Sequence, residues 1–196
     1  GGLAVRRHCI DLEFLDREYS DIDLVGLFDQ HGELAEVLEG LGYVQNHFVS
    51  HATQGTQLQF VRREQIRPAG FEDATAATDA AAEPTAPDHP LTHHIDVFLD
   101  VMRMDHDLDM RERLELDEYA ISPVDALIAK AQIGKINQKD IHDIIALFKD
   151  LPVREVDDDL SIYAPYIAAV CADDWGLYTD ITANLRVVLD WLGDYS

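Results

Sequence analysis

The stretch Tyr19-Ser20-Asp21-Ile22-Asp23-Leu24-Val25-Gly26 places two carboxylates one residue apart inside an apolar run. Strand interiors disfavour Asp, and two like charges side by side repel, so such a pair needs a compensating partner. Side chains alternate along a strand, which puts Asp21 and Asp23 on one face, about 7 Å apart. Their oxygens can then converge on one hard cation, and Mg²⁺ is often held by one or two carboxylates together with substrate phosphates. Asp96, in the later stretch His93-His94-Ile95-Asp96-Val97-Phe98-Leu99, is a candidate third carboxylate. Three acids, bound metal and a nucleoside triphosphate would make a site for in-line phosphoryl chemistry. The same Asp-x-Asp spacing also occurs at turns and solvated edges, above all in an acidic chain.

The elements that must position these acids are legible from periodicity. "LAVRRHCI" behind Gly1-Gly2 reads as a helix. The run around Asp21 reads as a strand. "HGELAEVLEGLGY" has Leu34, Val37, Leu38 and Leu41 at helical spacing, with Gly42 just past its end. "HFVSHATQGTQLQFVRR" alternates like a hairpin turning at Gln54-Gly55-Thr56. Residues 64–90, rich in Ala, Pro, Thr and acid, bury too little apolar surface to order and read as a flexible loop. "HHIDVFLDVMRM" is a strand with Ile95, Val97, Leu99 and Val101 on one face and His94, Asp96, Phe98 and Asp100 on the other. "RLELDEYAI" is expected to form another short strand. Ser122-Pro123 caps a helix to about Lys135, and Asn137 caps a second with a stripe of Ile141, Ile144, Ile145 and Phe148. Two or three helices follow. The expected fold is α/β in the broad sense, α+β in layout: a small mixed sheet flanked by helices over residues 1–121, then a helical region over 122–196.

Composition narrows the function classes. The 38 acidic against 15 basic residues leave a formal charge of -23, which opposes non-specific binding to nucleic acid and to anionic membranes. Acid excess with only Lys130, Lys135, Lys139 and Lys149 as lysines is the pattern of a halophile's salt-rich interior, where screening removes self-repulsion. Cys9 and Cys171 form no metal pattern and read as free buried thiols of a reducing compartment. With no stretch near the length of a membrane helix and no leader pattern, the expectation is a cytoplasmic protein with no membrane partner. An EF-hand is excluded because the Asp spacing lacks the loop glycine and terminal Glu. The histidines show no metal-ligand spacing, and most read as solvated. Were the acceptor tRNA, the basic path would be Arg6, Arg7, Arg62 and Arg63 with the lysine window.

Gly-Gly opening a helix, then Asp-Ile-Asp-Leu on a strand, then Ile-Asp-Val on a later strand, resembles the nucleotidyltransferase superfamily of the DNA polymerase beta type. The nearer likeness is to minimal nucleotidyltransferases and to the toxin of AbiE-type toxin–antitoxin pairs. "RLELDEYAISPVDALIAKAQIGKINQKDIHDIIALF" and "DDWGLYTDITANL" look like that group's later segments. The resemblance implies a nucleotidyltransferase fold and transfer of a nucleotidyl group from an NTP to a hydroxyl on a protein, tRNA or small molecule. Asp21, Asp23 and Asp96 would hold Mg²⁺ or Mn²⁺, Asp96 alternatively acting as the base. Gly1, Gly2 and Ser20, with Lys130 and Asp140, would surround the nucleotide. Ser20 stands where many relatives have threonine, and Arg17 lies four residues before Asp21. Lys130 lies at the edge of its helix's apolar stripe, a place that suits phosphate binding or snorkelling. Asp140 in a first helical turn and Lys139 with Asp143 at i,i+4 have ordinary structural roles as alternatives. An antitoxin or a second copy is the partner implied. A catalytically inactive nucleotide- or partner-binding module of the same fold is the competing reading.

Overall fold

The computed structural model describes residues 1–11, 13–19, 21–63 and 94–194. The 64–90 loop, Ser20 and His93 lie outside these described residues. The chain folds as a mixed α+β protein with a small sheet and helices. In order come α1 (Gly2–His8), β1 (Asp21–Gly26), α2 (His31–Gly40), β2 (Tyr43–Gln45), α3 (His47–Ala52), β3 (Gln57–Arg62) and β4 (His94–Leu99). They are followed by β5 (Val101–Arg103), β6 (Asp107–Asp109), α4 (Pro123–Ala131), α5 (Gln138–Asp150), β7 (Val153–Arg154), β8 (Ile162–Tyr163), α6 (Ala164–Asp173) and α7 (Trp175–Gly193).

The main sheet runs β1-β4-β3-β2, with β1 parallel to β4 and the other neighbours antiparallel. Alternation decides what each face meets. Ile22, Leu24, Leu58, Phe60, Ile95 and Val97 point to one side and close a core with Leu34 and Leu38 of α2. On the other side the strands begin polar, at Asp21, Asp23, His94 and Asp96, and end apolar at Val25 and Phe98. These last two pack against a larger core built from α1 and α4–α7, around Val5, Leu127, Ile144, Leu147 and Leu177. The polar patch therefore lies on the helical side of the sheet, where the strands enter it.

Three expected elements differ. The segment 47–52 is helix α3, capped by the Asn46 side chain at Phe48 N, so the hairpin pairs β2 with β3 around a helical insert. Gln54 and Gly55, both at positive φ, do make the turn. β4 ends at Leu99, and the φ of 62° at Asp100 breaks the ladder before Val101. The Asp100 carboxylate is tied down by the Phe28 N–H at 2.9 Å, and the chain continues as the separate β5-β6 hairpin. "RLELDEYAI" is turns rather than strand: Asp117 accepts the N–H groups of Tyr119 and Ala120, and Arg113 reaches Asp125, Ser122 and Asp157. Local side-chain bonds outcompete a ladder there.

The caps behave as read. Ser122 accepts from Asp125 N, with Pro123 in the first turn. Asn137 and Asp140 form a capping box at the start of α5. Within α5, Ile141 and Ile144 are buried, while Phe148 is left 41% exposed.

Candidate functional site

Parallel pairing of β1 with β4 aligns Asp21 with His94 and Asp23 with Asp96. Because both strands carry these residues at alternate positions, all four side chains project from one face as a two-by-two patch. Asp21, Asp23 and Asp96 are thus brought together from distant parts of the chain. The His94 ring lies among them, with Nδ1 3.2 Å from Asp21 Oδ1 and Nε2 3.1 Å from Asp96 Oδ2. The other Asp96 oxygen accepts from Gln59 Nε2 at 3.0 Å and from Gln57 Nε2 at 3.4 Å. Gln59 is itself oriented by Asn46, whose Nδ2 donates to Gln59 Oε1 at 2.9 Å. Asp96 is the most enclosed acid, its side chain 15% exposed against 37% for Asp23 and 49% for Asp21.

The glycines stand beside the acids. The Gly1 nitrogen is 3.7 Å from Asp23 Oδ2, and a Cβ on Gly1 would collide with that oxygen. A Cβ on Gly2 would lie 2.8 Å from both Arg17 Nη2 and the Tyr19 ring. Only glycine lets the backbone approach these side chains so closely.

Beneath the glycines lies a buried charge cluster. Lys130 Nζ is 2.9 Å from Asp140 and 3.0 Å from Asp143, and Arg17 Nη2 meets both Asp143 oxygens at 2.7 and 2.8 Å. Burial alone would lower the Lys130 pKa, but Asp143 and Asp140 outweigh it, and the net direction is upward. Lys130 and Asp143 are also within electrostatic reach of the Gly1 nitrogen. The structure therefore pairs Lys130 with Asp140. It replaces the expected Lys139–Asp143 surface pair, because Asp143 turns inward with no exposed surface. Lys130 is 16% exposed and held in by two carboxylates instead of reaching out from its helix.

A cavity of about 310 Å³ adjoins this site along the open edge of β1. Asp23, Val25 and Gly1 line one side of it, Arg7 and Tyr119 the other. Arg7 lies over the Tyr119 ring at 5.0 Å and pairs with Asp117 at 3.2 Å.

Among the described residues, no group of three or more His, Cys, Asp or Glu side chains already surrounds one point as a metal cluster. Three carboxylates nonetheless share one face of neighbouring strands, Asp96 oriented by amides, with the space beside Asp23 preserved by Gly1.

Sequence reasoning placed the acids but not their supports. Gln57 and Gln59 were legible as polar partners of the alternation Leu58, Phe60, and His94 as sharing the face of Asp96. The Arg17–Asp143 pair carries no local signal. Two histidines read as solvated are engaged: His106 lies between Asp174 and Asp180, and His8 Nε2 is 2.8 Å from the Ile121 carbonyl. Cys9 is buried and Cys171 half-buried, both as free thiols. No helix among the described residues is long and apolar enough to cross a membrane. Compared with protein-family models, with curated proteins and with solved structures, the chain finds no match in any of the three.

Proposed function

We propose that the chain is a metal-dependent nucleotidyltransferase, moving a nucleotidyl group from a nucleoside triphosphate to a hydroxyl acceptor. The observation that carries this reading is the alignment of Asp23 with Asp96 on parallel neighbours, with Asp21 on the same face and Gly1 against Asp23. Asp21 and Asp23 would hold Mg²⁺ or Mn²⁺. When bound, such an ion neutralises triphosphate charge and polarises the reacting phosphorus.

The chain's own groups supply the rest. Asp96, fixed by Gln57 and Gln59, points one oxygen at the patch and is placed to take the proton of an attacking hydroxyl. Gly1 and Gly2 leave room for phosphate oxygens beside Asp23. Lys130 keeps its charge, which Asp140 and Asp143 balance together with Arg17, so the cluster under that space is neutral and holds the neighbouring backbone in place. The cavity beside β1 gives a second reactant access to Asp23.

A nucleotide- or partner-binding module without catalysis is the second reading. It is favoured by Lys130, whose two carboxylate partners give it a complete structural role. Incubation with each labelled NTP and Mg²⁺ or Mn²⁺, with candidate acceptors present, separates the two. Transfer of label supports the enzyme, and nucleotide binding without pyrophosphate release supports the module.

A further inference from the structure

Helix α7 carries more apolar surface than the core uses. At 3.6 residues per turn, Leu177, Ile181, Asn184 and Val188 fall on one side and are buried, Asn184 donating to the Ala131 and Ile133 carbonyls. Beside that face runs a second stripe, Trp175, Tyr178, Thr182, Leu185, Leu189 and Leu192, spaced 3, 4, 3, 4 and 3 residues apart. It occupies an arc of about 100°, and one such arc is enough to seat a helix on a core. The second stripe stays in solvent at both ends: Trp175 is 78% and Leu189 66% exposed, with Tyr178 and Leu192 exposed as well. Thr182 and Leu185, at its middle, are half-buried. The Trp175 and Tyr178 rings lie together at 5.1 Å.

Alternating steps of three and four are the seam of paired helices. Charge indicates what covers this one. Asp180, Asp190 and Asp194 fall outside the arc, and Arg186 is the charged residue of α7 that borders it. A basic partner would find no acid on the stripe, although a chain of net charge -23 offers acids elsewhere. A second copy is just as acidic, so it is repelled at those other surfaces and admitted at an uncharged one. We propose that α7 packs antiparallel against α7 of a second copy, making the chain a two-fold homodimer. The two-fold then sets Trp175 opposite Leu192, Tyr178 opposite Leu189 and Thr182 opposite Leu185, so each wide aromatic ring meets a leucine. A parallel pair would instead put Trp175 on Trp175 and align the two helix dipoles. The 19 residues of α7 make a seam about 28 Å long. Its exposed side chains offer roughly 500 Å² per copy, and the pair buries about 1,000 Å², the lower bound of a specific interface. Such a dimer exchanges with monomer at micromolar concentration. None of the acid-patch residues takes part, so the pairing stands or falls apart from the transfer reaction.

The test uses the full chain in high salt, where the acidic surface is screened. Sedimentation velocity across the micromolar range should show the wild type passing from monomer to dimer mass. Leu189→Asp sets a carboxylate against Tyr178 of the other copy, and association should weaken about thirtyfold or more. For the register, Tyr178→Cys and Leu189→Cys are mixed and oxidised, and peptide mapping separates the new links from any made by Cys9 or Cys171. The two variants should cross-link to each other and neither to itself. Leu189→Cys linking to itself would mean a parallel pair and overturns the antiparallel arrangement. A dimer that survives Leu189→Asp unchanged overturns α7 as the interface. A wild type that stays monomeric throughout overturns the homodimer and leaves the stripe to a different protein or to another segment of this chain. The mass is read on the wild type, so a variant that misfolds does not remove the test.

Discussion

Asp23 and Asp96 face each other across parallel strands, and each is the second polar position of a polar, apolar, polar alternation. If that pairing exists to hold an ion, Asp23→Asn and Asp21→Asn lose metal affinity and nucleotidyl transfer together. Without metal, their melting temperatures equal or exceed the wild type's, since one like charge has been removed. Lower stability with no change in metal dependence would make the pair structural. Calorimetric metal titration alongside thermal melts checks both halves.

Asp143 is fully buried between Arg17 and Lys130. Asp143→Asn leaves Arg17 without its carboxylate and Lys130 with Asp140 alone, in a largely buried place, and the expected cost is about 3–5 kcal/mol. A urea midpoint shifted by that amount, with an unchanged slope, checks it. A loss of under about 1 kcal/mol would show the cluster to be well solvated.

His106 ties α7 to the β5-β6 hairpin through Asp180 at 2.8 Å and Asp174 at 3.0 Å. The hydrogen bond to Asp180 raises its pKa most; burial opposes, and Asp174 adds to the rise, for a net upward shift. A raised folded-state value means that this contribution is fully present below the unfolded-state pKa of about 6.5 and is lost as pH rises through the folded-state value. Wild-type melting temperature should therefore drop over that window relative to His106→Gln. Parallel profiles for the two proteins would contradict the linkage.

Cys9 is buried beside the charge cluster, and burial first, then Asp150 and Asp143, push its thiol up to about 12. In the native protein it should resist alkylation at pH 8, and react at an ordinary rate once unfolded. Mass spectrometry of timed alkylation distinguishes Cys9 from Cys171. Rapid native labelling of Cys9 would mean that α1 opens readily.

Much of the fold was legible because its signals are local. The Asp21/Asp23 strand, α2 with Gly42 at φ 90°, and the caps Ser122 and Asn137 each follow from residues within a turn of one another. Asp96 could be assigned a face from alternation, but its register against Asp23 depends on strand order, which periodicity does not encode. Arg17 with Asp143, and His106 with Asp174 and Asp180, are invisible for the same reason: tertiary packing alone makes them neighbours. "RLELDEYAI" misled because its alternation looks like a strand, while Arg113 and Asp117 spend the segment on side-chain bonds. The start of α3 at Asn46 was obscured by the β-branched and aromatic residues that follow it.

The central claim is that the acid patch binds a nucleoside triphosphate through a divalent ion. Its most direct test is the thermal stability of the full chain against each NTP, with Mg²⁺ or Mn²⁺ and with a chelator. One NTP with metal should raise the stability, by about 2.7 kcal/mol at a hundred times its dissociation constant, and Asp23→Asn should abolish the shift. No shift with any NTP and either ion, or a shift that survives both chelator and Asp23→Asn, would contradict it.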